Sequence, residues 1–152
     1  MLRRVFLKTL SRYLSAVLGS LAFPKHALSK WPEQDFAAGD FSDKFREIFA
    51  DLPISDSQEI IINLPEIAEN GAVVPITISS ALPNIKRLYI WAEKNPTPLV
   101  AEFEFDESMM LFLTARIKMA ESCPVIVIAQ QGDQLLRNQK WVTVMQGGCG
   151  TG

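Results

Sequence analysis

The spacing of apolar residues along the chain changes near Pro53. Before this residue, apolar positions recur every three or four residues among charged ones, which predicts an amphipathic helix within Asp35–Leu52. Proline lacks a backbone N–H and cannot continue a helix, so Pro53 is expected to end it. The apolar residues of this helix are Phe41, Phe45, Ile48 and Phe49.

Beyond Pro53 the chain consists of short apolar runs, rich in β-branched and aromatic residues, which are separated by Pro, Gly and Asn. Side chains in Ile76–Ser79 and Ala101–Phe105 alternate between apolar and polar, as expected for strands with one buried face. Runs of this kind predict an all-β sandwich of about seven strands after the helix. They are Gln58–Leu64, Ala72–Ser80, Ile85–Ala92, Leu99–Asp106, Met109–Met119, Pro124–Gln130 and Gln134–Gln146.

The first 29 residues have the composition of an export signal. A twin-arginine motif precedes an apolar run over Tyr13–Phe23. A membrane-anchoring helix is the alternative, but a bilayer requires about 20 apolar residues and this run has 11. We therefore expect cleavage after Ser29, release into the bacterial periplasm by the twin-arginine pathway, and no membrane anchor afterwards. The motif residues are Arg3, Arg4, Phe6, Leu7 and Lys8.

Loss of this segment changes the charge of the protein. Residues 1–29 contain five basic residues and no acidic one, so cleavage lowers the formal net charge from −2 to −7. Nucleic acids and anionic membranes are bound mainly by clusters of Lys and Arg, which the rest of the chain lacks. Both classes of partner are therefore excluded. The expected organisation is a signal at 1–29, a sandwich domain at 30–146 and a Gly-rich arm at 147–152.

The single histidine of the chain, His26, lies within the predicted signal. Without it, the protein cannot assemble a Cys–His or Ser–His pair, and it lacks the His or multiple Cys ligands of ordinary zinc sites. Paired carboxylates are an alternative acid–base site, but the candidates alternate along one predicted strand and its turn, which favours a solvated face. We expect no catalytic residue, metal or cofactor. The carboxylates are Glu102, Glu104, Asp106 and Glu107.

The two cysteines of the chain occur in different contexts. Cys123 precedes Pro124 and a Val-Ile-Val-Ile run, so we expect it to be a small buried residue at the start of a strand. A disulfide between Cys123 and Cys149 is the alternative, because an exported protein enters an oxidising compartment where two cysteines often pair.

Cys149 lies beyond the last predicted strand and has glycine on both sides. Glycine adopts positive φ freely and has no Cβ, so the thiol is presented on a thin, flexible arm that spans roughly 20 Å when extended. An incidental cysteine in a frayed terminus is the alternative. An exposed thiol is prone to exchange and oxidation, and this one has no base of its own, which favours a covalent carrier. The arm residues are Gly147, Gly148, Gly150, Thr151 and Gly152.

A soft-metal carrier is a further alternative, since thiolate and thioether ligands suit Cu(I). Its methionines would have to lie near Cys149, but they fall on predicted strands, where core packing explains them better. These methionines are Met109, Met110, Met119 and Met145.

Several stretches of the sequence together resemble the SoxY family, whose members carry thiosulfate-derived sulfur in the bacterial sulfur-oxidising (Sox) system. The resemblance extends along the whole chain and includes the twin-arginine signal. The Gly-Gly-Cys-Gly end alone is a weak motif, but the combination is specific. The other matching stretches are Pro65–Pro75, Glu93–Pro96 and Arg116–Ala120.

The resemblance implies an immunoglobulin-like sandwich that pairs with a SoxZ-like subunit as a heterodimer. It implies that a haem-containing sulfur transferase attaches thiosulfate to Cys149 as a cysteine S-thiosulfonate. A thiosulfohydrolase then removes sulfate, and sulfane-oxidising enzymes or an acceptor take the remaining sulfur. Members of the family commonly end in Gly-Gly-Cys-Gly-Gly, whereas Thr151 precedes the last glycine here and stiffens the arm slightly. The alternative function is a periplasmic binding or structural module in which Cys149 is incidental.

Overall fold

The computed structural model describes residues 33–50, 52–106 and 108–145. Within them, one helix precedes nine strands that form two sheets. No helix in this part of the chain is long and apolar enough to cross a membrane. The elements are α1 (Phe41–Phe49), β1 (Ile54–Asp56), β2 (Ile61–Asn63), β3 (Ile67–Ala68), β4 (Val74–Ser79), β5 (Ile85–Ala92), β6 (Leu99–Glu104), β7 (Phe112–Ile117), β8 (Cys123–Gln131) and β9 (Gln134–Val144).

The helix α1 begins at an N-cap formed by Asp40, whose carboxylate accepts a hydrogen bond from Ser42 N at 2.8 Å. It ends at Phe49, because Ala50 adopts a positive φ of 48°. The sequence-based prediction is therefore correct in its apolar face and too long at both ends. Residues 33–38 form turns and bends, and the chain leaves the helix before Pro53 is reached.

The larger sheet has the strand order β1-β9-β8-β5-β6, and β3 also pairs with β9. Its antiparallel strands were all predicted from the sequence, whereas β1 and β3 were missed. These two strands have three and two residues and lie parallel to β9, with Ile54 opposite Leu135 and Ile67 opposite Thr143. Segments this short contain no periodicity, so only their pairing with a distant strand defines them.

The smaller sheet has the strand order β2-β4-β7 and is antiparallel. Its apolar side chains, such as Val74, Ile76 and Ile78 of β4, are buried against those of the larger sheet. Two sheets packed face to face over one core agree with the immunoglobulin-like sandwich that the resemblance implies. The prediction of an all-β sandwich preceded by one helix is confirmed.

A second core lies between α1 and the outer face of the larger sheet. Trp91 is at its centre and has no accessible surface. The centroid of its ring lies 5.7, 5.5 and 6.1 Å from those of Phe41, Phe45 and Phe49. Aromatic rings at these distances pack favourably. The apolar stripe that predicted the helix is therefore the surface that attaches it to the sheet.

The methionines differ from the expectation of core packing. Met119 is buried, but Met109, Met110 and Met145 are each more than half exposed. The reason is that β7 begins only at Phe112 and β9 ends at Val144, so the three exposed methionines lie outside the strands. Core packing explains one of the four methionines, and the prediction is wrong for the other three.

Candidate functional site

The predicted attachment residue Cys149 lies outside the described residues. The described chain continues to Met145, four residues before it. The part of the candidate site that the structure describes is therefore the root of the arm, which is the end of β9. Also outside the described residues are Arg3, Arg4, Phe6, Leu7, Lys8, His26, Glu107, Gly147, Gly148, Gly150, Thr151 and Gly152.

Hydrogen bonds hold the end of β9 on both of its edges. On one edge, the N–H groups of Thr143 and Met145 each donate at 2.9 Å to backbone carbonyls in or next to β3. On the other edge, Val144 N donates to Ser122 Oγ at 2.8 Å. Each of these residues must lose a hydrogen bond before it can separate from its neighbours, so the end of β9 resists local opening. The last described residues before the predicted arm are therefore held in place.

Gly71 packs against the last residue of β9. A Cβ atom on Gly71 would lie 2.3 Å from Met119 O and 2.8 Å from Val144 Cγ1. Both distances are far inside van der Waals contact, and Met119 O belongs to the backbone, which cannot rotate away. Met119 N also donates a hydrogen bond to Gly71 O at 2.7 Å. Only glycine permits this close approach of two loops and a strand.

Asn95 attaches a third loop at the same place. Its Nδ2 donates to Lys118 O and its Oδ1 accepts from Ala120 N, each at 2.8 Å. The two bonds bracket Met119, whose backbone contacts Gly71. Three loops therefore support the end of β9 together. We call the following residues the root clamp: Gly71, Asn95, Met119, Ser122 and Val144.

Replacement of Asn95 by alanine is expected to lower the free energy of unfolding by about 1–2 kcal/mol, because two hydrogen bonds to the 118–120 loop are lost. Urea unfolding measures this change. Asn63→Ala is a matched control, since the Asn63 side chain is exposed in β2 and makes no hydrogen bond within the described residues. We expect the control to change stability by less than about 0.5 kcal/mol. Equal effects of the two substitutions would contradict the role of Asn95.

Cys123 is a free thiol with no accessible surface. It begins β8 opposite Val142 and belongs to the core between the two sheets. Burial raises the pKa of this thiol, so it stays protonated and is a poor nucleophile. The prediction of a small buried residue is confirmed, and the alternative disulfide is not formed. Cys123 is unsuited to holding a cargo that other proteins must reach.

The carboxylates considered as an acid–base site have other partners. Arg87 Nη2 lies 2.9 Å from Glu104 Oε1, and Arg87 Nη1 lies 3.9 Å from Glu102 Oε1. Hydrogen bonds from the hydroxyl and the backbone N–H of Ser108 lower the pKa of Asp106. Glu102 and Glu104 are therefore placed to pair with Arg87, and Asp106 is hydrogen-bonded within its own turn. Across the described ranges, no group of three or more His, Cys, Asp or Glu side chains is placed to hold a metal ion.

The root clamp was not predicted from the sequence. Gly71 and Asn95 stand in predicted turns, where glycine and asparagine are common for purely local reasons. Their contacts instead reach the loop after β7, more than twenty residues away along the chain from Asn95 and further from Gly71. No sequence pattern around Ser122 predicts its contact with Val144, because the hydroxyl reaches Val144 only when β8 and β9 are paired.

Comparison with known proteins gives two informative similarities. The chain matches the family model of the sulfur oxidation protein SoxY over residues 45–149. It is also similar to the solved structure of the sulfur carrier protein SoxY from Chlorobium limicola f thiosulfatophilum, with 36% sequence identity and a TM-score of 0.62. That alignment covers 68% of this chain and 94% of the other.

A weaker similarity links the chain to a superoxide reductase (neelaredoxin) from Ignicoccus hospitalis. The identity is 19%, the TM-score is 0.49, and 58% of this chain and 81% of the other are covered. No curated protein matches the chain.

The range that matches the family model includes the root clamp and Cys149, and it begins after the predicted export signal. The similar solved structure is covered over almost its entire length, and its identity to this chain is well above the level at which only the fold is shared. The resemblance seen in the sequence is therefore confirmed, and the chain belongs to the SoxY family of sulfur oxidation proteins.

Proposed function

We propose that this protein is a covalent carrier of sulfur intermediates in sulfur oxidation and that Cys149 is its attachment residue. Membership of the SoxY family supports the carrier role. The choice of residue rests on one observation: of the two cysteines in the chain, Cys123 has no accessible surface and sits in the core. Cys149 is then the thiol that carries the cargo.

The geometry at the end of β9 suits a sulfur carrier whose bound sulfur must reach the active sites of several enzymes. Cys149 follows Met145 by four positions, so its Cα atom stays within roughly 14 Å of that of Met145. Gly147, Gly148 and Gly150 add no side chains, so the arm is narrow enough to enter a cleft. A fixed root confines the thiol to a small volume, which raises its effective concentration at the site of a docked enzyme.

The first cargo reaction that we propose is oxidative. The Cys149 thiol and thiosulfate form Cys–S–S–SO₃⁻, with release of one proton and two electrons, and a haem-containing sulfur transferase accepts the electrons. A thiosulfohydrolase then uses water to cleave the bond between the sulfane and sulfonate sulfurs, which releases sulfate and leaves a persulfide on Cys149. Sulfane-oxidising enzymes act on this remaining sulfur. The only histidine of the chain is His26, so proton transfer at Cys149 is also left to the partners.

We further propose that the protein is exported to the periplasm by the twin-arginine pathway and pairs there with a SoxZ-like subunit. An unpaired sheet edge is a suitable surface for this pairing, because its free N–H and C=O groups can bond to another chain. In the described residues, the larger sheet has β6 at one edge and β1 and β3 at the other, and the smaller sheet has β2 and β7 at its edges.

Mass spectrometry of the protein purified from cells grown on thiosulfate tests the proposal. We expect a mass increase that a thiol reductant removes and that maps to the tryptic peptide after Lys140, which contains Cys149 but not Cys123. A thiol that stays bare under these conditions would favour the alternative of a binding or structural module. An adduct on the peptide that contains Cys123 would show that the wrong cysteine has been chosen.

A further inference from the structure

Three large apolar side chains lie together at the root of the arm. Trp141 and Ile67 are 58% exposed and Met145 is 56% exposed. Ile67 is opposite Thr143 in the pairing of β3 with β9, and the other two lie two residues before and after Thr143. Alternate residues of a strand share a face, so these three side chains lie on one face of the sheet, next to Thr143. We call Ile67, Trp141 and Met145 the root patch.

The side chains of the root patch belong to neither of the two hydrophobic cores. Leu135 is on the same face of β9 and is covered by α1, but Trp141 lies outside that cluster. Scattered apolar residues are normal on a protein surface, whereas a contiguous group that includes tryptophan is typical of an interaction site. Tryptophan is also the residue most enriched among those that contribute the largest share of binding energy at interfaces. The root patch therefore has the composition of an interaction surface.

The length of the predicted arm limits how far an enzyme that receives Cys149 can be from the root patch. The Cα atom of Cys149 lies at most roughly 14 Å from Met145, because four extended residues span no more. An enzyme that receives Cys149 in a cleft must bring the mouth of that cleft within this distance of the root. The root patch surrounds the point where the arm leaves the domain, so it is the first folded surface that the mouth meets.

The charges beside the root patch indicate the charge that the matching surface of a partner carries. Glu66 and Glu69 flank β3 on either side, are exposed, and form no ion pair within the described part of the chain. Complementary surfaces place opposite charges across an interface. The matching surface is therefore apolar at its centre, to accommodate the indole of Trp141, and basic at its border.

We propose that the root patch is the docking surface for the cleft mouth of the haem-containing sulfur transferase that loads Cys149. This inference rests on the carrier function proposed above. Docking holds the cleft in line with the arm while the thiol reacts, and release of the root patch lets the carrier move to the next enzyme.

Trp141→Ser tests the proposal, with Phe112→Ser as the matched control. Phe112 is also an exposed aromatic residue, at 72%, but it lies in the smaller sheet at the end of β7 remote from Gly71. Each heterodimer with the SoxZ-like subunit is loaded by the haem-containing sulfur transferase with thiosulfate, below the KM for the carrier. Intact-mass measurements should show a fall in loading rate of about tenfold or more for Trp141→Ser and less than about twofold for Phe112→Ser.

Reaction of Cys149 with a small disulfide reagent is the companion measurement, because it needs no docking surface and should be equal in all three proteins. Equal loading of the wild type and Trp141→Ser would overturn the docking surface, as would an equal loss in Phe112→Ser. Failure of Trp141→Ser to pair with the SoxZ-like subunit would overturn it too, by assigning Trp141 to that interface. A wild type whose thiol reacts with the reagent but is never loaded would overturn the carrier function itself.

Discussion

Cys149→Ser is expected to abolish thiosulfate-derived adducts completely, whereas Cys123→Ala is expected to leave them unchanged. A serine hydroxyl has nearly the shape of the thiol but cannot form the S–S bond that holds the cargo. Cys123 lies in the core, and burial raises the pKa of its thiol, so it does not replace the missing nucleophile. Intact-mass spectrometry after incubation with thiosulfate and the purified sulfur transferase measures both outcomes.

The Cys123→Ala variant also provides the control for folding. It removes one sulfur from a packed core, at an expected cost of about 1 kcal/mol, which the fold tolerates. Alkylation offers an independent check, because the native wild type should label at one thiol and the unfolded chain at two. Adducts that persist in Cys149→Ser, or that disappear in a folded Cys123→Ala protein, would contradict the assignment of the carrier residue.

Gly71→Ala is expected to lower the free energy of unfolding by about 3 kcal/mol and to loosen the root of the arm. The new Cβ would lie 2.3 Å from Met119 O and 2.8 Å from Val144 Cγ1, so the loop or the end of β9 must move. Movement of β9 weakens the bond from Val144 N to Ser122 Oγ. Urea unfolding gives the change in stability, and hydrogen exchange at the Val144 and Met145 amides reports the local opening.

Gly39→Ala is the control for this prediction. The nearest atom to a Cβ on Gly39 is Lys44 Cε at 3.3 Å, so a shift of this side chain by a few tenths of an ångström makes room for the methyl group. We expect a change below about 0.5 kcal/mol and no effect on amide exchange at the end of β9. A Gly71→Ala protein as stable as Gly39→Ala, with unchanged exchange at Val144, would show that the close packing at the root does not require glycine.

The sequence predicted the fold well wherever the spacing of apolar residues within a single segment indicates its secondary structure. The seven predicted strands and the apolar face of α1 follow from alternation and helical spacing, which are properties of neighbouring residues. The ends of α1 were wrong because they depend on the cap at Asp40 and the positive φ at Ala50. The strands β1 and β3 were missed because two or three residues become a strand only through pairing with β9.

The sequence by itself determined which chemistry is available to this protein. A chain with two cysteines and one histidine offers few reactive groups, and a cysteine between glycines differs in kind from one that starts a Val-Ile-Val-Ile run. These are properties of residue type and immediate neighbours, so they need no fold. The burial of Cys123 was predictable for the same reason.

Only the tertiary structure decided how the arm is held and what surrounds its root. Gly71, Asn95 and Ser122 act on β9 through contacts between loops that are distant in the sequence, and no local pattern encodes such contacts. The root patch arises in the same way, because Ile67 joins Trp141 only when β3 pairs with β9. Packing between distant segments, rather than the residues of the predicted arm, sets the position of Met145, from which that arm continues.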